Sequence, residues 1–129
     1  MTFDFPNSEA LLEEVQDQGL YAKLIVQLQK DFVRANVPVA LMGREGDEPL
    51  PPKVLRTLLH EKIYLLFMER LKEYLNLLYI IDVPERAIKE IPPTDSVEVA
   101  AQVSLLILKR EFQKIWFREN PSGRIYLGN

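Results

Sequence analysis

Residues 52–81 read PKVLRTLLHEKIYLLFMERLKEYLNLLYII, and residues 96–118 read SVEVAAQVSLLILKREFQKIWFR. Both stretches repeat apolar residues at spacings of three and four, which indicates α-helix. Each stretch also carries apolar residues outside its main stripe. A helix with one apolar stripe covers a core from the outside, whereas a helix that is apolar on several faces must itself be covered on several sides. The two stretches therefore predict a helical bundle whose core continues into a second subunit.

The segments around these two stretches also indicate helices. Residues 20–35 place apolar residues on one side and charged residues on the other, which predicts an amphipathic helix. Asn7 and Ser8 provide a start signal for an earlier helix, and residues 82–91 form a short helix between the two long ones. The predicted fold class is therefore all-α: a helical bundle of about four main helices plus one short helix, without a significant sheet.

The length of the chain suits one domain, and we expect residues 1–129 to form a single helical domain. Residues 36–52 are rich in glycine and proline, which predicts a long irregular connection. The first half of that connection is apolar and should pack onto the body of the domain. Residues 120–129 begin with proline, serine and glycine soon after the long helix, which predicts a turn and a short tail.

The composition excludes several classes of protein. The chain has no cysteine, so it has no disulfide, thiol nucleophile or thiolate metal site. Its net charge of −3 argues against wholesale nucleic-acid binding, which usually needs a strongly basic face. The longest uncharged run, residues 99–108, is far shorter than the roughly 20 residues of a membrane span, and the N-terminus does not have the pattern of a signal peptide. We therefore expect a cytoplasmic protein without membrane insertion and without a cofactor.

The side chains that often carry chemistry do not form a recognisable site in this sequence. His60 is the only histidine, and position 57 is threonine, so the Glu-x-x-His metal motif of helical bundles does not occur. Ser104 and His60 could form a catalytic triad with an acid, but the sequence does not indicate a strained nucleophile turn or an oxyanion hole near either residue. Ser104 should instead bond to a backbone carbonyl within its helix. No catalytic or metal site is predicted, and we do not expect an enzyme.

The basic region near the C-terminus is the best candidate for contact with a ligand. The candidate anion-binding residues are Lys109, Lys114, Arg118 and Arg124. Aromatic residues, including Phe112 and Trp116, interleave with them, and such a combination can hold phosphates and stack bases.

A structural role for this region is the stronger interpretation. Cations near the C-terminal end of a helix complement its dipole. The acidic residues among positions 1–20 could also pair with these cations, within one subunit or between subunits. We expect Phe112 and Trp116 to be mostly buried, and the loss of Lys114 or Arg118 to cost about 1 kcal/mol or less.

The surplus apolar surface of the two long helices is the strongest functional signal, because contiguous apolar patches usually mark binding surfaces. The predicted interface residues are Leu65, Met68, Leu75, Tyr79, Val99 and Val103. Asn76 lies within one apolar run. A buried asparagine can fix the register of a helical oligomer, whereas a solvent-facing one has no such role.

These observations predict a non-catalytic interaction or assembly module. It should form a homodimer or a higher oligomer, with a different protein as a further possible partner. The alternative is small-molecule or nucleic-acid binding through the basic, aromatic C-terminal helix, and nucleic acid is the less favoured ligand because of the overall charge.

Overall fold

The computed structural model describes residues 1–41 and 48–121, and six helices account for most of them. The helices are α1 (Ser8–Asp17), α2 (Tyr21–Arg34), α3 (Pro52–Glu69), α4 (Leu71–Ile81), α5 (Glu85–Lys89) and α6 (Ser96–Glu119). No sheet occurs in the described part of the chain, so the predicted all-α bundle is confirmed. None of the described helices combines the length and the hydropathy that a membrane span requires.

Side-chain caps fix where α1 and α6 begin. The Asn7 side chain accepts a hydrogen bond from the backbone N–H of Ala10 through Oδ1 (2.9 Å). Asp95 does the same for the N–H of Glu98, also at 2.9 Å. Each cap satisfies one of the donors that the first turn of a helix leaves free. The start signal predicted at Asn7 and Ser8 is therefore confirmed.

The helix predicted over residues 52–81 is in fact two helices that meet at Arg70. Arg70 has φ −136° and ψ 60°, outside the helical region, so it ends α3 and begins α4. α3 packs against α1 and α6, whereas α4 packs against α2 and α6. The change of direction at Arg70 therefore lets the apolar residues of α4 reach α2. Asn76 supports this position, because its Nδ2 donates to the carbonyl of Ala35 at the end of α2 (3.1 Å).

α6 lies at the centre of the bundle and contacts every other helix. Leu108, Phe112 and Ile115 are buried, as their spacing predicts. Val103 is also buried, with 1% of its surface exposed, so it belongs to the core and cannot line the predicted interface. The physical reason is that other helices of the same chain cover α6 on several sides. The sequence alone assigns part of that cover to a second subunit.

The described ends of the 36–52 connection pack onto α2. Val37 and Leu41 are buried, as predicted for the first half of the connection. The Gln29 side chain of α2 donates to the carbonyl of Val39 (3.1 Å) and accepts from the N–H of Leu41 (3.2 Å). The N–H of Leu50 donates to the carbonyl of Leu41 (3.1 Å), which brings the two ends together. Residues 42–47, and the part of the predicted turn and tail beyond residue 121, lie outside the described residues.

Candidate functional site

Exposed apolar side chains are concentrated along residues 64–79, from the last turns of α3 through α4. Eleven large apolar side chains are exposed in the described part of the chain, and six of them lie between residues 64 and 79. These six form what we call the α3–α4 surface: Tyr64, Leu65, Met68, Leu71, Leu75 and Tyr79. Four of them were predicted as interface residues, and their exposure ranges from 44% for Leu65 to 80% for Tyr79. Single exposed apolar residues are ordinary, but a cluster of this kind is typical of a binding surface.

The α3–α4 surface extends to the first turn of α6. Tyr64, Leu65 and Val97 line a shallow groove of about 460 Å³. Val97 is 57% exposed, whereas the predicted Val99 is half-buried and packs against the core. No local pattern marks Val97 as a surface residue, because its place beside Tyr64 depends on how α6 crosses α3.

Two charged residues lie on one edge of the α3–α4 surface. Lys62 and Glu69 are seven residues apart on α3, which is about two helical turns, so they share one side of the helix. Together with Leu65, they line a cleft of about 310 Å³ beside the surface. Neither residue takes part in an ion pair in the described ranges. Both charges are therefore available to a partner.

The basic residues of α6 that were candidates for anion binding have partners within the chain. Lys109 Nζ lies 3.6 Å from Asp4 Oδ1, which is one of the predicted contacts between the acidic N-terminal and basic C-terminal regions. Arg118 Nη2 donates to Gln27 Oε1 (2.7 Å). Arg124 lies outside the described residues. These contacts favour the structural interpretation of the region over an anion site.

The aromatic residues of α6 pack against the N-terminal segment. Phe112 is fully buried, and its ring centroid is 5.2 Å from that of Phe3 in an edge-to-face arrangement. Trp116 lies at the margin of the core and is mostly buried, as predicted. Its ring meets Phe3 (6.0 Å) and Phe117 (5.1 Å) edge-on. The ring of Trp116 therefore already has two aromatic neighbours within the chain.

The strongest electrostatic feature is a charged cluster buried between α2 and α6. Asp31 and Glu111 are fully buried, and Lys114 lies between them with 18% of its side chain exposed. Lys114 Nζ is 2.8 Å from Asp31 Oδ2 and 2.9 Å from Glu111 Oε1. The contact to Glu111 does not have hydrogen-bond geometry, and neither carboxyl oxygen of Glu111 has a hydrogen-bond partner among the residues described. One lysine therefore serves two buried acids.

The pKa values of the two acids in this cluster are shifted in opposite directions. Burial, followed by the neighbouring Asp31 carboxylate, raises the pKa of Glu111 to about 8, against the opposing effect of Lys114. Burial also raises the pKa of Asp31, but the hydrogen bonds that Lys114 and Gln27 donate to its carboxylate, together with the charge of Lys114, outweigh this effect and leave that pKa lower than usual. At pH 7 Asp31 is therefore ionised, whereas Glu111 holds its proton. Shifted pKa values can mark active sites, but structural ion-pair networks such as this one produce them too.

We expect the free energy of unfolding to fall as the pH rises from about 5 to about 9. The folded protein keeps a proton on Glu111 that the unfolded chain loses above its ordinary pKa of 4.5, so this stability is complete below pH 4.5 and lost as the pH passes about 8. Glu111→Gln stays neutral and should flatten the decline in urea titrations across this range. Glu90→Gln, at an exposed residue that follows α5, is the control. An equally steep decline in the Glu111→Gln variant would contradict this assignment.

A polar cleft lies between α1, α3 and α6, with a cavity of about 390 Å³. His60 lines it, and its Nε2 lies 2.9 Å from the carbonyl oxygen of Val97, to which it must donate. Ser104 also lines it, and the structure contradicts the predicted bond to a backbone carbonyl. The Ser104 hydroxyl is buried and has no hydrogen-bond partner in the described chain. The fold thus brings His60 and Ser104 to one cavity, although no hydrogen bond joins them.

No group of three or more histidine, aspartate or glutamate residues is arranged to hold a metal ion in the described ranges, 1–41 and 48–121. Comparisons with protein families, with curated proteins and with solved structures find no match for this chain.

Proposed function

We propose that this chain is a non-catalytic assembly module of the cytoplasm that self-associates through the α3–α4 surface into a homodimer or a higher closed oligomer. The observation that carries the proposal is the cluster of six exposed apolar side chains at residues 64–79. Leaving these side chains in water has a free-energy cost that a contact between subunits would remove. The absence of cysteine suits the cytosol, where disulfides are rare.

The spacing along α3 favours a helix as the partner. Leu58, Glu61, Leu65 and Met68 follow one another at intervals of three, four and three residues, which is the rhythm with which paired helices interlock their side chains. Leu65 and Met68 are the exposed apolar members of this row, whereas Leu58 packs in part against the core and Glu61 is charged. A two-fold axis lets such a stripe face itself, so a second copy of the chain supplies the complementary surface.

The charges at the edge of the surface favour an antiparallel arrangement of the two copies. If the two α3 helices cross near Leu65 and Met68, Lys62 of one copy faces Glu69 of the second copy, and the symmetry makes the pair twice. Opposite charges at the edge of an interface select orientation and partner more than they add affinity.

Molar mass in solution tests the proposal. We expect the wild-type chain to be at least dimeric at high micromolar concentration in sedimentation equilibrium. Leu65→Glu combined with Met68→Glu should be monomeric with an unchanged circular dichroism spectrum. Val26→Glu combined with Val33→Glu, at exposed apolar positions on α2, is the matched control and should remain associated. A monomeric wild-type mass throughout this concentration range would refute self-association.

Charge reversal tests the orientation separately. Lys62→Glu and Glu69→Lys should each weaken the dimer, by roughly fivefold or more, because each places like charges opposite one another. The double variant exchanges the two charges and should regain most of the affinity. If all three variants associate like the wild type, the antiparallel arrangement is wrong even though the surface is right.

The alternative of nucleic-acid binding through the C-terminal helix receives less support. Lys109, Lys114 and Arg118 already contact Asp4, Asp31 and Gln27, respectively. A polyanion would have to displace these contacts before it could use the cations.

A further inference from the structure

The first residues of the chain lie against α6 without forming a helix, and we call residues 1–6 the N-terminal strap. Burial alternates along the strap: Phe3 and Phe5 are partly buried, whereas the residues between and beside them are exposed. A period of two is typical of an extended segment that rests on a surface with one side. The strap therefore places two aromatic side chains on α6 and leaves its other side chains in water.

The side chains beneath the strap form a groove on α6. The ring centroid of Phe3 lies 5.2 Å from that of Phe112 and 6.0 Å from that of Trp116. It also lies 6.1 Å from the ring of Phe117, and the ring of Phe5 lies 6.2 Å from Phe112. Three further residues of α6 meet the strap nearer to Pro6. We call the whole set the α6 groove: Leu105, Leu106, Lys109, Phe112, Trp116 and Phe117.

The strap matches the α6 groove in direction and in charge. Its contacts move from the last turns of α6 at Phe3 to the middle of that helix at Pro6, so the strap and α6 run in opposite directions. Between the two phenylalanines, Asp4 Oδ1 lies 3.6 Å from Lys109 Nζ. The groove therefore receives an aromatic, an acidic and an aromatic residue in succession.

The strap is held mainly by its two phenylalanine rings. In the described part of the chain its backbone forms no hydrogen bond, and Gln18 Nε2 donates only a long one, of 3.5 Å, to the Met1 sulfur. The ion pair of Asp4 is weak, because the Asp4 side chain is 91% exposed. A cavity of about 320 Å³ lies between the strap and α6, so the strap does not fill the groove. A segment with so few buried contacts opens locally at a small cost in free energy.

An open α6 groove would favour a replacement for the strap. Phe112 is fully buried, and both phenylalanines of the strap contact its ring. Without them, one side of Phe112 and of Trp116 would be in contact with water, and apolar surface of this kind favours association. The best replacement repeats the chemistry of the strap, because Lys109 stays between the two aromatic positions.

We propose that the α6 groove is a docking site for an extended segment of a partner protein, in which an acidic residue stands between two aromatic residues. The strap occupies the groove when no partner is bound, and Phe3, Asp4 and Phe5 show the pattern that the partner repeats. Because the strap competes for the same groove, it lowers the apparent affinity of the partner. The site does not depend on self-association, since it shares no residue with the α3–α4 surface.

A titration of the full chain with a short peptide tests this site. The probe is a peptide with the sequence of residues 2–6, blocked at both ends. Trp116 is the only tryptophan, so the NMR signal of its indole N–H reports on the groove alone. Phe3→Ala combined with Phe5→Ala empties the groove, and this variant should bind the peptide about tenfold more tightly than the wild type does, because the strap no longer competes. Bound peptide should also return the indole signal of the variant toward its wild-type position.

Two controls accompany this titration. Val26→Ala combined with Val33→Ala, at exposed apolar positions on α2, is the matched variant and should bind the peptide as weakly as the wild type. The same peptide with serine at both phenylalanine positions should leave the indole signal unchanged. Absence of a saturable shift in the variant with the emptied groove would overturn the proposal, and so would equal affinity of that variant and the wild type.

Charge reversal at Lys109 tests the acidic position while both rings of the strap stay in place. The wild-type chain should prefer the original peptide to one with lysine in place of its aspartate. Lys109→Glu should reverse this preference, by about threefold in each direction, because the pair lies at the surface. The same preference in both proteins would show that Lys109 does not select an acidic residue, and the proposed pattern of the partner would be wrong.

Discussion

Lys114→Ala should lower the free energy of unfolding by roughly 3 kcal/mol or more, because it leaves the ionised Asp31 buried without its main cation. Arg34 is the other cation near Asp31, but its Nη1 is 3.5 Å from Asp31 Oδ1 and its side chain is 58% exposed. The expected loss is several times the 1 kcal/mol or less that the sequence suggested, because the sequence does not show that Lys114 lies between two buried acids. Urea unfolding at pH 7, followed by Trp116 fluorescence, measures the loss.

Lys109→Ala is the matched control for this prediction. Lys109 is on the same helix, but its partner Asp4 is 91% exposed on its side chain, so the loss should be about 1 kcal/mol or less. Combining Lys114→Met with Asp31→Asn removes both charges and should recover part of the stability. Equal losses for Lys114→Ala and Lys109→Ala would contradict the buried ion pair.

Leu108→Ala should lower the free energy of unfolding by about 2–5 kcal/mol, the range for buried leucines that leave a cavity. Leu108 is fully buried in the middle of α6, the helix that contacts all the others. Val33→Ala, at a position on α2 that is 64% exposed, should change stability by about 0.5 kcal/mol or less. Thermal and urea unfolding of both variants, compared with the wild type, give the measurement. A small effect at Leu108 would mean that α6 is not the centre of the core.

The helices were predictable wherever a local pattern determines them. Asn7 was identified as a helix start because its short polar side chain can reach the free amides of the next turn. The break at Arg70 was not predictable, because neither proline nor glycine lies there and the apolar spacing continues through it. The break depends on packing against α2, which includes the hydrogen bond from the Asn76 side chain to the Ala35 carbonyl. These two residues are distant in sequence.

The candidate sites were only partly predictable for the same reason. Leu65 and Tyr79 were expected at a surface because they lie off the main stripe, and both are exposed. Val103 also lies outside the main apolar stripe of its helix, α6, but it is buried. The sequence of α6 does not show how many other helices cover it. The polar cleft depends on how α3 and α6 cross, so no local pattern joins His60 to Ser104.

The buried acids did leave a signal that sequence reasoning overlooked. Glu111 is three residues after Leu108 and four before Ile115, both of which are buried. Asp31 likewise is three residues after Leu28 and four before Ala35. A carboxylate in line with buried neighbours at helical spacing is either neutral or paired inside the protein. This rule would have identified both acids, although not the lysine that they share.

The central place of α6 has a consequence for synthesis of the chain in the cell. A ribosome releases residues in order from the N-terminus, so α1 to α5 emerge before α6, which is the helix that all of them contact. Until residues 96–119 have emerged, the earlier helices can pack only against one another, and the apolar surfaces that α6 covers stay open to water; such intermediates aggregate readily. A nascent chain halted before α6 should therefore bind chaperones and be cut readily by proteases, whereas one in which residue 119 has cleared the exit tunnel should resist digestion.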